Sequence, residues 1–326
     1  MPPEAAGTSE GWRSSERISS LASSKLLAQL QAGDGRLWVI RTTGNFGDDL
    51  LFLGLETLLR RFGLPFEVVA HDQLNQIDLT AEDTVYIHGG GGWVPLWDGT
   101  PARVLKELVV HHRGPIVIGP SSFAADGDYL EAALVGPLRT APGRVTVFCR
   151  ERPSYDAVAA LVGDLAEVML DHDTALNLTR EDVLALGERV GPGRGYRFYG
   201  VRSDAESRSI GPCRVLRAPI DPIEYCYSFK HWVRLHARAE SIVTNRLHSA
   251  ICGAILGVPT TLLPNSYHKA RGVWEYSLRE RGVQWAEALP PDWLGRIEER
   301  LGISGYWRGS RRLQRLVGRL RFGSSE

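Results

Sequence analysis

Short apolar blocks alternate along this chain with stretches whose apolar residues are spaced for helices. Leu37-Trp38-Val39-Ile40 is a continuous apolar run of strand length, and a glycine-rich turn follows it. From Asp49 to Phe62, the positions Leu50, Leu53, Leu55, Leu58 and Leu59 return at helical spacing. Strand, glycine turn and helix in that order open a parallel α/β unit. The alternation continues with strands at Phe66–Ala70, Thr84–His88, Pro115–Gly119, Val145–Cys149 and Glu167–Leu170. Helices are predicted at Ala102–His111 and Ser154–Leu161, and an earlier one at Ile18–Leu30 ends before the turn Gly33-Asp34-Gly35.

The glycine-rich stretch Gly191 to Gly195 reads as a seam, because a second α/β series starts beyond it. Strands are predicted at Tyr196–Val201, Ser241–Thr244 and Thr260–Leu263, with helices at Phe229–Arg238, Arg246–Leu256 and Ala270–Glu280. The expected architecture is α/β: two Rossmann-like parallel-sheet domains facing across a cleft. The expected boundaries are a mobile N-terminal extension and helix over 1–34 and an N-terminal α/β domain over 35–190. A C-terminal α/β domain over 191–290 and a helical segment over 291–326 complete the chain. Ligands of open parallel sheets bind outside the carboxyl ends of the strands, and the unusual residues of this chain cluster there.

Lys+Arg and Asp+Glu are equal at 38 each, so the formal net charge is zero. A nucleic-acid binder carries a basic excess, so that class of partner is excluded at this level. Hydrophobic residues make up 43% of 326 residues, enough for sizeable cores without disulfides or structural metal. Cys149, Cys213, Cys226 and Cys252 form no C-x-x-C pair and read as reduced, small hydrophobes. Residues 1–24 lack the apolar core of a secretory signal, and no run is long enough to span a bilayer, so a cytoplasmic location is expected.

Candidate chemistry starts at Thr244-Asn245-Arg246-Leu247-His248, which follows a strand and opens a small-residue helix. A helix start offers unpaired N–H groups to an anion. Arg246 adds a two-pronged donor for phosphate or carboxylate, and His248 adds a group that exchanges protons near neutral pH. After the next strand come Asn265 and Lys269, a second cation beside the first. Arg150 and Arg202 end their strands in the same manner. Glu151 pairs plausibly with a neighbouring arginine, and a polar turn accounts for Asn265 equally well.

Two glycine turns also stand at strand ends. Gly44-Asn45-Phe46-Gly47-Asp48-Asp49 brings backbone close to a ligand at a helix start. Gly89-Gly90-Gly91-Gly92, preceded by His88, forms a second close-approach loop. Neither is G-x-G-x-x-G, and no phosphate-loop signature occurs. Asp171-His172-Asp173 has ligand types suited to a metal, but neighbours after a strand point in different directions, so no metal is expected.

Taken together, the segments GNFGDDLLFLGLETLLRRFG, YIHGGGG, FCRERPSY, VRSDAE and TNRLHSAICGAILGVPTTLLPNSYHKARGVWEY resemble the polysaccharide pyruvyl transferase family, in family order from about Ile40 to Tyr276. The last segment is the most specific. The resemblance implies a layout similar to two-domain GT-B glycosyltransferases, phosphoenolpyruvate as donor, and a sugar acceptor, lipid-linked or polymeric, that receives a pyruvate ketal. It implies no cofactor. Arg246, His248 and Lys269 fall on its catalytic pattern, with His248 as general acid. Arg150 falls on its donor-binding pattern, and Arg202 is a fourth cation. Substrate contacts are expected from Asn265, Gly44, Asn45, Gly47, Asp48, Asp49, His88, Gly89, Gly90 and Gly91. Asp48, Asp49 and Asp173 are alternatives for taking the hydroxyl proton. The chain departs from the family at Gly92-Trp93, at Gly119–Phe123 and at His268, and these departures bear on the acceptor.

Two other functions use the same features: a nucleotide-sugar glycosyltransferase and a non-catalytic anion- or glycan-binding protein. Near the C-terminus, Leu313, Leu316, Val317 and Leu320 lie at helical spacing among arginines. Such a stripe packs on its own protein or lies on the inner face of an anionic membrane near a lipid-linked acceptor.

Overall fold

In the computed structural model, residues 23–187, 195–202, 204–208 and 219–289 are described. The extension before residue 23, most of the expected seam at 191–195, Cys213 and the C-terminal amphipathic stretch lie outside them. The chain forms two parallel sheets. The first contains β1 (Leu37–Arg41), β2 (Glu67–Ala70), β3 (Thr84–Ile87), β4 (Gly90–Trp93), β5 (Ile116–Phe123), β6 (Val145–Cys149) and β7 (Glu167–Leu170). Its order is β2-β1-β3-β5-β6-β7, with β4 paired to β5. The second has the order β11-β10-β9-β8, from β8 (Tyr196–Gly200), β9 (Ala239–Thr244), β10 (Thr260–Leu262) and β11 (Gln284–Trp285).

The alternation of side chains along a strand explains why the first sheet is covered on both faces. Leu37 and Val39 of β1 join Tyr86, Val117 and Phe148 against helix α1 (Ser24–Gln31) and helix α2 (Phe46–Arg61). Trp38 and Ile40 face the other way, with Val85, Ile87, Ile116 and Ile118, under helix α3 (Thr100–His111) and the helical stretch 127–140. Helix α4 (Arg152–Val162) adds Val158 and Val162 to that second layer. Continuous apolar runs are what a doubly covered parallel strand requires.

The second sheet is packed by helix α5 (Arg180–Leu186), helix α6 (Phe229–Ala237), helix α7 (Leu247–Leu256) and helix α8 (Lys269–Val273). Val183, Trp232, Val233, Ile251, Ala270 and Val273 share its core with Phe198, Ile242 and Leu262. Leu50 of α2 also enters this core. Helix α2 therefore buries Leu55 and Leu59 against the first sheet and Leu50 against the second, which accounts for its width of apolar surface.

Three local differences from the sequence expectations have physical causes. The glycine run is not purely a turn: Gly90–Trp93 pairs with β5, because Trp93 buries fully against Phe123 and pulls the run into the sheet. The helix expected over Ala270–Glu280 is α-helical only to Val273 and then widens to a π turn over Trp274–Leu278. The pair Gln284–Trp285 adds an unexpected edge strand beside β10. Among the described residues, no helix is long and apolar enough to cross a membrane. Cys149, Cys226 and Cys252 are free thiols and buried.

Candidate active site

A cavity of ≈ 350 Å³ is lined by residues following β1, β3 and β6 of the first sheet and β8, β9 and β10 of the second. The change of direction between β1 and β3 in the order β2-β1-β3 is the topological switch at which such sheets leave a crevice. Of the residues expected at the site, Gly44, Asn45, Gly47, Asp48, Gly89, Gly91, Arg150, Arg202, Arg246, His248 and Lys269 line this cavity.

The start of α2 is a rigid wall. Asn45 caps it by accepting from the Gly47 N–H at 2.9 Å, and Asp48 Oδ2 accepts from the Asn45 N–H at 2.8 Å. This reciprocal box satisfies donors that a helix start leaves open. It also fixes Asp48 so that Oδ1 faces His248 Nδ1 at 3.9 Å. Gly47 lies flat against the imidazole: a Cβ there would sit 2.7 Å from His248 Nδ1. Helix α7 carries His248 in its first turn, with Arg246 as the capping residue.

Behind His248 is a fully buried pair. Arg150 donates to Asp173 Oδ2 at 2.7 Å and to Ser122 Oγ at 2.9 Å. The same Asp173 oxygen stands 3.4 Å from His248 Nε2, too poorly aligned to count as a hydrogen bond. Burial pushes the Asp173 carboxyl upward, but the His248 imidazole and the Arg150 guanidinium overcome it and hold the group well below the usual carboxylate range. The three residues of the Asp171-His172-Asp173 cluster go to different partners. Asp171 accepts from the Leu26 N–H, His172 meets Ser277 and stacks on Tyr276, and Asp173 turns to Arg150 behind the cavity lining.

Opposite lies a network of cations and carboxylates. Glu206 accepts from Lys269 Nζ and from Arg202, and from the Trp97 Nε1–H at 2.9 Å. Arg202 also donates to Asp204 at 2.7 Å and 3.0 Å. Arg246 grips Asp221 with two bonds of 2.6 Å and Asp204 with one of 2.8 Å. Burial opposes the charge on Glu206, yet Lys269 and Arg202 hold its carboxyl down at about 2. Burial draws the Lys269 ammonium down to about 8, aided by Arg202 and Arg150 and opposed by Glu206. Lys269 Nζ and Arg150 Nη2 converge over Gly91, where an added Cβ would lie 3.3 Å and 3.7 Å from them.

Four expected contacts stand elsewhere. His88 is fully buried, tilted against Phe52 with ring centroids 4.2 Å apart and set edge-on to Tyr86, and burial holds its imidazole well below its ordinary range. Asp49 does not line the cavity, and burial raises its carboxyl against the pull of Arg41. Gly90 is committed to pairing with β5, its φ of 133° suiting glycine. Asn265 sits one layer back, donating to Glu206 at 3.3 Å and accepting from the Ala270 N–H. Each departure follows from strand register or helix phase, which set which way a side chain points.

Sequence reasoning missed Trp97, Asp98, Asp204, Glu206 and Asp221. Asp204 and Glu206 were within reach of it, since they stand two and four residues after Arg202. Asp221 and Trp97 have no comparable signal, because only long-range packing brings them to Arg246 and Glu206.

The comparisons with known proteins agree with this picture. The family model described as polysaccharide pyruvyl transferase matches residues 45–267, more than half of the 326 residues. No curated protein matches the chain significantly. A crystal structure of a protein described as functionally uncharacterized, from Klebsiella pneumoniae, superposes with a TM-score of 0.63. It is 19% identical, and the match covers 81% of this chain and 96% of that one. At that identity the likeness speaks for the fold alone. The family match spans all of the cavity-lining loops but the first three residues of the β1 turn and the end carrying Lys269, and on it the chain belongs to the polysaccharide pyruvyl transferase family.

Proposed function

We propose that this chain uses phosphoenolpyruvate to build a pyruvate ketal across two hydroxyls of an acceptor sugar in a surface polysaccharide or its lipid-linked precursor. The single observation that carries the reading is the convergence of Arg150, Arg202, Arg246 and Lys269 on one cavity that also holds His248. The donor has a phosphate and a carboxylate, and fixed guanidinium and ammonium groups are the donors such a ligand needs. Glu206 and Asp204 pair with these cations in the structure, and on this reading the donor's anionic groups displace them.

His248 delivers a proton to the methylene carbon of the donor, leaving a cationic centre at the carbon that bears the phosphate. One sugar hydroxyl bonds to that carbon and loses its proton. The carbon–oxygen bond to phosphate then breaks, and the second hydroxyl closes the ring. Of the two hydroxyl protons, one restores His248 and the other leaves with phosphate, so the balance closes. Asp48 is the acceptor for the first hydroxyl proton on this reading, since it lines the cavity while Asp49 and Asp173 do not. The scheme requires no metal or cofactor.

The same reading assigns residues 35–190 and 191–290 to two domains laid out across a cleft as in GT-B enzymes. It places the protein in the cytoplasm, where a lipid-linked acceptor would meet it at the inner membrane face. The test is direct. Phosphoenolpyruvate should raise the thermal midpoint as a ligand of the native state does, and incubation with lipid-linked saccharides should add a pyruvate ketal detectable by mass. A midpoint shift with nucleotide sugars and none with phosphoenolpyruvate would overturn the proposal.

A further inference from the structure

The segment between β4 and α3 puts a large aromatic ring in an unusual position. Trp97 is 39% exposed, and its neighbour Leu96 is 42% exposed. An indole left in water gains nothing from burial, so its position calls for a partner. The ring is not loose. Its Nε1–H donates to Glu206 Oε1 at 2.9 Å, and Glu206 is held in turn by Lys269 and Arg202. The indole therefore stands at a fixed angle, and it lines the cavity beside Asp98, Asn45 and Asp48. Asp98 is itself positioned, accepting from the Thr100 hydroxyl at 2.7 Å and the Thr100 N–H at 3.2 Å.

We infer that Trp97 is the platform on which a pyranose ring of the acceptor stacks, with Asp98 and Asn45 meeting its hydroxyls. A pyranose has a face of C–H groups and an edge of hydroxyls. A fixed π face next to carboxylate and amide oxygens matches both. The C–H face covers the exposed indole, and the electron-rich ring attracts the polarised hydrogens. The polar groups orient the sugar, as a few placed acceptors do in ligand sites generally. A membrane-inserting role fits poorly, because the indole's polar edge is bonded inside a charged cavity. The inference rests on the proposed pyruvyl transfer for the identity of the acceptor, and on Trp97 alone for its location. Because Glu206 anchors the indole and also caps the donor-side cations, a donor that displaces Glu206 alters the platform at the same moment.

The experiment uses the full chain as wild type, Trp97→Ala and Trp97→Phe. Thermal midpoints with and without phosphoenolpyruvate read the donor side. Saturation-transfer NMR with methyl β-galactopyranoside and methyl β-glucopyranoside, and with a detergent-solubilised extract of lipid-linked saccharides, reads the sugar side. The soluble glycosides and the lipid extract separate recognition of a bare ring from recognition of a lipid-borne one. The expected result is a loss of sugar affinity of about ten-fold or more in Trp97→Ala, a change worth about 1.4 kcal/mol. Trp97→Phe keeps a π face and stays within about three-fold of wild type. A donor-induced shift persists in all three proteins, which shows that the donor side still binds. Should Trp97→Ala not fold, Trp97→Leu keeps apolar bulk without a π face and is read in its place. Unchanged sugar affinity in the variant overturns the inference, as does failure of every saccharide to bind wild type. Loss of uridine diphosphate binding in place of sugar binding overturns it too. If phosphoenolpyruvate shifts none of the proteins, the donor assignment fails while the sugar arm still reads the platform.

Discussion

Asp173 Oδ2 lies 3.4 Å from His248 Nε2 while accepting a 2.7 Å hydrogen bond from Arg150. One buried carboxylate thus ties the candidate proton donor to a cation from the other sheet, and it does so without lining the cavity itself.

Replacing Asp173 by Asn should be costly to the fold. Arg150 is 1% exposed and Asp173 0%, and removing one partner of a buried pair leaves an uncompensated charge. The expected loss is roughly 3–5 kcal/mol, measured by urea denaturation. The Asp173 carboxyl is depressed in the folded state. Its contribution is therefore full above the ordinary carboxylate range and is lost only as pH falls through the lower folded value. The Asn variant should be less stable than wild type at neutral pH, with the gap closing in strong acid.

His248→Ala should separate chemistry from binding. General acid help is worth about 10²–10⁴ in rate, so kcat for pyruvyl transfer should fall in that range. The midpoint shift produced by phosphoenolpyruvate should survive. Wild-type turnover in the variant would remove the imidazole from the reaction.

Lys269 gives the site a pH limit. Its ammonium is depressed from an ordinary value of 10.5 to about 8. Above about pH 8 the folded protein releases a proton that the unfolded chain still holds, so the stability of the unliganded protein rises with pH between those two values. Donor binding runs the opposite way, because it needs the charged form. KM for phosphoenolpyruvate should climb above pH 8, approaching about ten-fold per unit, since one unit of pH weighs about 1.4 kcal/mol. Lys269→Arg should flatten that climb, and KM against pH for the two proteins is the measurement.

Gly47→Ala tests the contact between α2 and the imidazole. Alanine in a helix is worth about 0.5–1 kcal/mol over glycine, a gain that offsets part of the cost of the contact it creates with His248. The new Cβ would lie 2.7 Å from His248 Nδ1 and must displace it. Misplacement of about 1 Å costs up to about 10²-fold in rate, so kcat should drop well beyond any change in stability.

Much of this molecule was legible along the chain. Runs such as Leu37–Ile40 and Val145–Cys149 declare buried strands, because a parallel strand covered on both faces has no polar side to show. The spacing of Leu50, Leu55 and Leu59 declares a helix. The cations at strand ends, Arg150, Arg202, Arg246 and Lys269, were legible for the same reason, since parallel topology carries every strand end to one edge. His88 was not. An imidazole between a strand and a glycine run looks like a site residue, and only the register of β3 turns it inward onto Phe52.

Tertiary structure alone decided which carboxylate stands on which cation. Asp221 meets Arg246 at a sequence separation of 25, Asp173 meets Arg150 at 23, and Glu206 meets Lys269 at 63. It also placed Trp97, whose hydrogen bond to Glu206 joins loops 109 positions apart. Periodicity records which side of an element is buried, a local property that every residue in the element repeats. The pairing of one charged group with another depends on where two loops end in space, and no residue near either loop carries a trace of it.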